Sequence, residues 1–411
     1  MRLLLLSHYY APETGPPQLR WASLVRDLVA AGHKVDVVAP APHYPTGRLL
    51  PGEDPSQVGR IHRGEHGETI HRVTFRPSTG SARSLLLDQM VSAADTVRTA
   101  WLRRRALRPD VVLATVPGLP TAMAGRALAT MLRAPLVLEM RDAWPDVLAG
   151  AASGTERSLL RSVVTRLAAA CITSVQRSAD LVVTTTDSFA VALRDRGVGP
   201  VVTVRNAHHD LPRALPLGGS SRDAGPLRVV YVGTVGRAQG LETAVRAAHV
   251  ARSRGTDLVL RIVGTGARLA PVRELARELQ APVQFVGPVA REQVGEHYAW
   301  CDTFLVCLRD WPGLSSTVPS KLYEALALGL HVSASAKGET AAIVEATGAG
   351  LTAAPGDAEA LARGWMALAE RGPQQETERM RSWVAAHATE AGAASVLLSA
   401  LSGLSRPEVG V

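Results

Sequence analysis

Short apolar runs alternate with longer helix-forming segments along this chain, and the alternation starts twice. In the first half the runs are Arg2–Leu6, Lys34–Ala39, Thr69–Val73, Val111–Thr115, Leu136–Glu139, Leu181–Thr184 and Val201–Val204. Helical segments at Leu19–Ala31, Pro120–Leu132, Glu156–Ser178 and Ser188–Arg196 separate them. A polar stretch with proline and glycine, Leu211–Pro226, interrupts the pattern. It resumes with Leu227–Val232, Leu258–Val263, Val283–Phe285, Thr303–Leu308 and His331–Ser335, with helices at Leu241–Arg254, Pro271–Leu279, Asp357–Arg371 and Glu376–Leu404. Short strands alternating with helices predict parallel sheet with crossover helices. At 411 residues the chain exceeds one hydrophobic core. The expectation is an α/β chain of two doubly wound domains, residues 1–215 and 216–385, followed by a helix and tail at 386–411. Ligands of such sheets sit outside the strands' C-terminal ends, which points to the cleft between the domains.

Composition narrows the class. Hydrophobic residues make up 46% and charged residues 20%, as in a soluble globular protein. No run of about 18 apolar residues predicts a spanning helix, and Leu3–Leu6 is too short for a signal peptide. Cys171, Cys301 and Cys307 lack metal-type spacing and are odd in number, which argues against a disulfide framework. A cytoplasmic location is expected. The net charge of +8 lies wholly in the first half: residues 1–215 hold 26 Lys+Arg against 18 Asp+Glu, and residues 216–411 hold 19 of each. The run Arg103-Arg104-Arg105 beside Trp101 and Leu102 suits either a solvated helix end or peripheral contact with an anionic membrane. Aromatic residues at 4% argue against a nucleic-acid partner.

The second half carries the sharpest motif, Pro319-Ser320-Lys321-Leu322-Tyr323-Glu324 running to Gly329. Proline and serine open a short helix and glycine closes it. Lys321 and Glu324 stand three apart on one face. A lysine at a helix N-terminus suits phosphate oxygens, and a nearby carboxylate can accept from ribose hydroxyls. The chain has only three lysines, Lys34, Lys321 and Lys337, so a lysine here suggests that a compact point charge is needed. An ordinary capped surface helix fits these residues equally well.

Glycine-marked strand ends precede this helix. Gly233-Thr234-Val235-Gly236-Arg237 follows one run, and Arg237 is placed to neutralise a diphosphate. Gly264-Thr265-Gly266 follows the next, and Phe285-Val286-Gly287-Pro288-Val289 resembles a strand end whose backbone reads a nucleobase. In the first half, Tyr9-Tyr10-Ala11-Pro12-Glu13-Thr14-Gly15 links strand to helix and offers an anion site. It lacks Gly-x-Gly-x-x-Gly, so a nicotinamide fingerprint is absent. His8, His43, His208 and His209 are scattered without metal-ligand spacing, and Asp142 with Asp146 is a lone i,i+4 pair, so no metal is expected.

Together with Ala31-Gly32-His33-Lys34-Val35, Pro42-His43-Tyr44-Pro45-Thr46-Gly47 and Arg141-Asp142-Ala143-Trp144-Pro145-Asp146, these motifs resemble, in order and spacing, the GT-B nucleotide-sugar glycosyltransferases of family 4. Within them the chain is most similar to the WbuB/WcaI-like enzymes of bacterial surface polysaccharides. The resemblance covers nearly the whole chain. It implies two Rossmann-like domains and a last helix that crosses back to the first. It implies that Lys321 and Arg237 hold the donor diphosphate as catalytic groups and that Glu324 binds the ribose. Gly15 and Gly236 would let loops approach the donor, and Gly264, Gly266 and Val289 would line the base and ribose pocket. Asp142 would lie close to the transferred sugar as a third catalytic candidate.

Two departures from the family pattern stand out. Eight residues before Glu324, where family members often carry a glutamate, stands Ser316, so Ser316 and Thr317 are left to hold the sugar. In the second-domain loop Thr234 and Gln239 replace the usual basic residues, leaving Arg237 alone. Asn206 resembles an interdomain asparagine with a structural role. The resemblance implies metal-independent transfer, with retention, from a nucleoside diphosphate sugar, expected to be UDP-linked, to a saccharide, lipid-linked saccharide or small-molecule acceptor. Two alternatives stay open: a UDP-sugar 2-epimerase-like enzyme using Asp142, Glu139 and histidines, or a catalytically silent scaffold for a partner enzyme.

Overall fold

The computed structural model describes residues 1–44, 46–116, 118–147, 159–207 and 225–404. The chain divides into two compact units, Met1–Asn206 with Glu390–Val411, and Ala207–Thr389. The interruption read at Leu211–Pro226, with His208 and His209, lies almost wholly outside the described residues, as does the start of the helix read from Glu156.

The first unit contains β1 (Arg2–Leu6), β2 (Lys34–Pro40), β3 (Ile61–Arg63), β4 (Thr69–Val73), β5 (Val111–Val116), β6 (Leu136–Met140), β7 (Leu181–Thr184) and β8 (Val201–Thr203). Their order is β3-β4-β2-β1-β5-β6-β7-β8, all parallel except β3, which pairs antiparallel with β4 on the edge. The second unit contains β9 (Leu227–Val232), β10 (Leu258–Val263), β11 (Val283–Gly287), β12 (Thr303–Cys307), β13 (Val332–Ser335) and β14 (Gly350–Ala353), in the order β11-β10-β9-β12-β13-β14, all parallel. Counted within its unit this is the 3-2-1-4-5-6 order of a dinucleotide-binding sheet, and the first unit follows it once its two edge strands, β3 and β8, are set aside. Strands such as β1, β5 and β12 are apolar without alternation because helices cover both sheet faces. The order reverses between β1 and β5, and again between β9 and β12, which marks a crevice at the strand ends of each unit.

Several elements depart from the expectations. The Ala82–Leu102 helix was not legible as a helix, and β3 and β14 were not legible as strands. The segment read as one helix from Glu376 is two, Thr377–His387 and Glu390–Ser402, separated at Ala388 and Thr389. By length and composition Thr377–Ser402 passes for a membrane-crossing segment, but it is two helices and not one. Its apolar side chains are used in packing instead. Met380 and Val384 are buried in the second unit's core, and Ala394, Leu397 and Leu401 are buried in the first unit against residues such as Leu3 and Trp21. Arg26 pairs with Glu390 at 3.0 Å on that contact.

A buried polar chain crosses the second sheet. His331 Nδ1 lies 2.8 Å from Thr303 Oγ1, which lies 2.8 Å from Ser333 Oγ, and Trp365 Nε1 donates to Ser333 at 3.1 Å. Burial lowers the His331 pKa to about 4. The folded state therefore keeps this ring neutral while the unfolded chain takes up a proton near pH 6.5, so stability is lost as pH falls from 6.5 toward 4. Two and a half units correspond to about 3 kcal/mol. The pH dependence of the urea midpoint is expected to weaken in His331→Gln over this window; an unchanged dependence would contradict the assignment.

Candidate active site

In the second unit the loop after β9 and the loop after β10 are joined by their backbones. Gly233 N–H donates to Val263 at 3.0 Å, Val235 N–H to Thr265 at 2.9 Å, and Arg268 N–H back to Val235 at 2.9 Å. Gly264 has φ +135°, and a Cβ there would stand 2.0 Å from the Gly233 carbonyl oxygen. A Cβ on Gly266 would stand 2.4 Å from the Val235 oxygen. These two glycines thus have a packing reason to be glycine, independent of any ligand.

Gly236 N–H donates to Gln239 Oε1 at 3.1 Å, which shapes the turn that presents Arg237. Arg237 is exposed and has no hydrogen bond or ion pair among the described residues. It is not the loop's only basic neighbour. Arg309, two residues past the end of β12 at the switch point, donates its N–H to the Ala238 carbonyl at 2.8 Å and packs on Gly240. Arg309 pairs with Glu242 at 2.9 Å and Arg268 pairs with the same carboxylate at 2.7 Å. Burial alone would raise the Glu242 carboxyl, but Arg268 and Arg309 hold it below its ordinary value. Sequence reasoning missed Arg309; the available signal was a basic residue directly after the fourth strand of a doubly wound unit.

Lys321 and Glu324 lie at the start of the Ser320–Leu328 helix, whose N-cap, Pro319, offers no side chain to its first N–H groups. Lys321 Nζ is 2.8 Å from Glu324 Oε2, which also accepts from the Tyr298 hydroxyl at 2.9 Å. Burial first, then the Glu324 charge, pushes the Tyr298 hydroxyl well above its usual range, so it stays a donor. Both of these contacts fall on Oε2, and Glu324 Oε1 has no hydrogen bond among the described residues. Ser316 closes the short turn Leu314–Ser316, and the Thr317 hydroxyl donates to Gly313 at 3.1 Å. The Thr317 carbonyl accepts from Thr340 at 2.7 Å. Thr317 is therefore tied into its own turn. Val289 is half-buried against the core that holds Val263 and Val294.

In the first unit Gly15 caps the Pro16–Ala30 helix in extended conformation, and a Cβ there would meet Gln18 Oε1 at 2.6 Å and the Tyr44 ring at 3.0 Å. The organiser of this loop is Glu13, which sequence reasoning left without a role. Its carboxylate accepts from the N–H groups of Tyr10 at 3.2 Å, His43 at 2.7 Å and Tyr44 at 2.8 Å, and from Gln18 at 3.0 Å. It joins the loop after β1 to the loop after β2.

Asp142 follows β6. Burial raises its carboxyl, offset in part by Arg141, and no side-chain hydrogen bond holds it among the described residues. Arg141 Nε and Trp144 Nε1 beside it are also buried without a partner. Buried polar groups without partners are rare in native proteins, which makes this strand end a candidate for contact with a ligand. Glu139 is the opposite case. It is bonded by Arg20 at 2.8 Å, Trp21 at 2.7 Å and Thr115 at 2.5 Å. Burial would raise it, but Arg20 and Arg141 keep it ionised. It is a structural anion rather than an acid or base. Arg20 also holds the carbonyls of Val204 and Arg205 and reaches Asn206 at 3.4 Å. Asp146 pairs with Arg196.

His8 and His43 are not scattered. Asp88 Oδ2 lies 3.1 Å from His8 Nε2 and 3.2 Å from His43 Nε2, and all three residues are buried. Their ligand-type atoms fall within 4.8 Å of one another, a grouping their spacing in sequence conceals. Burial opposes charge on His43, but Asp88 and the Ala41 carbonyl more than offset it and raise its pKa. Asp88 stands on the Ala82–Leu102 helix, the element that sequence did not show.

Comparison with known proteins agrees with this geometry. The signature of the "Glycosyl transferase 4-like domain" family matches residues 17–207, and that of "Glycosyl transferases group 1" matches residues 226–371. WcaI of Escherichia coli K12, named as a glycosyl transferase of colanic acid biosynthesis, is 27% identical over 344 residues, 80% of this chain and 82% of WcaI. The amylovoran biosynthesis glycosyltransferase AmsK of Erwinia amylovora is 29% identical over 140 residues, a third of each chain. Sucrose-phosphate synthase from Thermosynechococcus elongatus superposes with a TM-score of 0.73 at 18% identity over 98% of both chains. HepE of Anabaena, solved with UDP and glucose, gives 0.66 at 17% identity over 98% of this chain and 99% of its own. At these identities the structural likeness speaks for the fold. With the two signatures matched in order over most of the chain and the WcaI likeness running across them, the chain is a glycosyltransferase of GT-B fold, similar to the WcaI-like enzymes of family 4.

Proposed function

We propose that the enzyme transfers a sugar, with retention, from a UDP-linked donor to a saccharide acceptor, and that the second unit holds the donor. The observation that carries this reading is the Lys321–Glu324 pair at an uncapped helix N-terminus, with Arg237 and Arg309 on the switch-point loops of the same sheet. Breaking the glycosidic bond places charge on the departing diphosphate. Lys321, Arg309 and the helix N–H groups are held in place beforehand, and with Arg237 they stabilise that charge. Cationic side chains do the work a divalent ion would otherwise do, so transfer is metal-independent. Glu324 Oε1 accepts from the ribose hydroxyls, Gly236, Gly264, Gly266 and Val289 shape the nucleotide pocket, and Ser316 replaces a glutamate toward the sugar. In the first unit Gly15 lets its loop approach the substrate, and Asp142 with its unmet neighbours acts close to the transferred sugar. HepE's complex with UDP and glucose supports a uridine donor by likeness of fold. The 2-epimerase alternative loses ground because Glu139 is fully bonded.

A thermal-shift panel of UDP-, GDP- and dTDP-sugars tests the donor. A ligand at about one hundred times its Kd adds about 2.7 kcal/mol to native stability. A melting-temperature rise with UDP-sugars and none with the other two is expected. A rise confined to GDP- or dTDP-sugars would reject the uridine assignment, and no rise with any would reject the site.

A further inference from the structure

Two histidines share one carboxylate oxygen inside the first unit. His8 Nε2 lies 3.1 Å and His43 Nε2 lies 3.2 Å from Asp88 Oδ2, and all three side chains are buried. The other oxygen, Oδ1, accepts from the Arg76 N–H at 2.8 Å and is approached by the Ser92 hydroxyl at 3.5 Å. Among the described residues no lysine or arginine side chain bonds to Asp88. His71 with Asp36 is the ordinary arrangement, one ring on one carboxylate at 3.2 Å. The Ala82–Leu102 helix brings the shared carboxylate in: it turns Asp88, Ser92 and Thr96 inward and leaves Leu86 and Leu87 exposed.

The hydrogens decide what can stand between these atoms. His43 Nδ1 lies 2.9 Å from the Ala41 carbonyl oxygen, which can only accept, so this ring carries a hydrogen on Nδ1. In a neutral ring that leaves the Nε2 lone pair facing the lone pairs of Asp88 Oδ2, two acceptors 3.2 Å apart. A cation has to lie between them, either a second proton on the ring or a metal ion. A single metal ion satisfies His8 Nε2 at the same time, because the ligand-type atoms of the three residues fall within 4.8 Å of one another. Ligands bonded to zinc at about 2.0 Å in tetrahedral array stand about 3.3 Å apart, and the two spacings here are 3.1 and 3.2 Å. The outer partners are those a ligand set needs: the Ala41 carbonyl fixes the tautomer of one ring, and the Arg76 N–H holds the carboxylate with one oxygen presented. Two imidazoles and a carboxylate suit zinc better than calcium or magnesium, which take oxygen ligands. Phe75 stacks on His43 at 4.8 Å and Tyr9 stands edge-on to His8 at 4.6 Å, so aromatic rings wall the cluster.

We propose that His8, His43 and Asp88 bind a zinc ion, with water in the fourth position, and that the ion ties the loops after β1 and β2 to the Ala82–Leu102 helix. The ion is structural. It steadies the loops that carry Glu13, Gly15 and Tyr44, and takes no part in the charge stabilisation proposed for the second unit. The test uses the full chain without a histidine tag, stripped with a chelator and returned to zinc alone. One zinc per chain by elemental analysis is expected, with a melting temperature several degrees higher than in chelator, because the ion binds the native state. Cobalt(II) in its place should give the intense visible absorption of a four-coordinate ion. Asp88→Asn and His43→Gln should each lower zinc affinity about a hundredfold or more and abolish the cobalt spectrum, while His71→Gln binds as the wild type does. Melting curves in chelator show whether each variant folds, and the wild-type stoichiometry and cobalt spectrum decide the matter even where one does not. A stripped wild type that takes up no zinc and shows no cobalt absorption would mean that a proton fills the gap, and would overturn the proposal. Zinc binding that persists in both Asp88→Asn and His43→Gln would also overturn it, by assigning the ion to surface histidines such as His62.

Discussion

Replacing Lys321 by alanine is expected to lower turnover by about two to three orders of magnitude while leaving the fold in place. The size follows from losing one preorganised charge at the leaving group, which costs about 10²–10³ in kcat in comparable sites. The fold should survive because the lysine is partly exposed and its one partner, Glu324, keeps the Tyr298 hydroxyl at 2.9 Å. A third-exposed ion pair contributes little to stability. Lys321→Arg should recover only part of the rate, because a planar fork does not replace a compact ammonium at a helix N-terminus. Steady-state turnover and melting temperature on the same preparations decide the matter. Near-normal turnover in the alanine variant would remove the lysine from the mechanism, and with it the reading of the helix as the diphosphate site.

The second large effect concerns stability. Gly264→Ala is expected to cost roughly 3 kcal/mol or more, because the backbone sits at φ +135° and the new methyl would press on the Gly233 carbonyl oxygen at 2.0 Å. The hydrogen bond from Gly264 N–H to Gly287, 2.7 Å long, ties the same residue to β11, so it has little room to move. Gly255→Ala is the control: its φ is +87° but nothing stands within 4 Å of the added carbon. Only the left-handed conformation is then penalised, about 1–2 kcal/mol. Urea unfolding of the two variants separates strain from steric overlap. Equal losses would mean that loop packing is not why Gly264 is glycine.

Most strands were legible because each is a run of Val, Leu and Ile too short for a helix, bounded by turn residues. β3 was not, since all three of its side chains are exposed and its pairing with β4 is set across a turn rather than by an apolar pattern. β14 was hidden by its opening glycine and half-buried side chains. The Ala82–Leu102 helix escaped for a different reason. Sequence periodicity assumes that the apolar stripe faces inward, and here polar residues do. The C-terminal segment reads as one apolar helix because its composition does not reveal that its two halves pack in different cores.

At the site, local spacing was enough for whatever one element holds. Lys321 and Glu324 are three residues apart on one helix, so their pairing follows from helix geometry. The glycines mark strand ends because backbone crowding leaves no alternative there. Arg309 beside the Arg237 loop, Glu13 between two loops, and Asp88 between His8 and His43 join residues separated by roughly 30 to 80 positions, and no local pattern encodes which of many arginines, glutamates or histidines will meet. By itself the chain's order of apolar runs and turn residues determined two largely parallel sheets and the short helix that pairs Lys321 with Glu324, since these depend on interactions within a few residues. Only the tertiary structure decided which buried charges are bonded and therefore structural, as with Glu139, and which polar groups have no partner among the described residues, as beside Asp142. The same was true of the Ala82–Leu102 helix, whose leucines could be assigned to the surface only once Asp88 was placed inside.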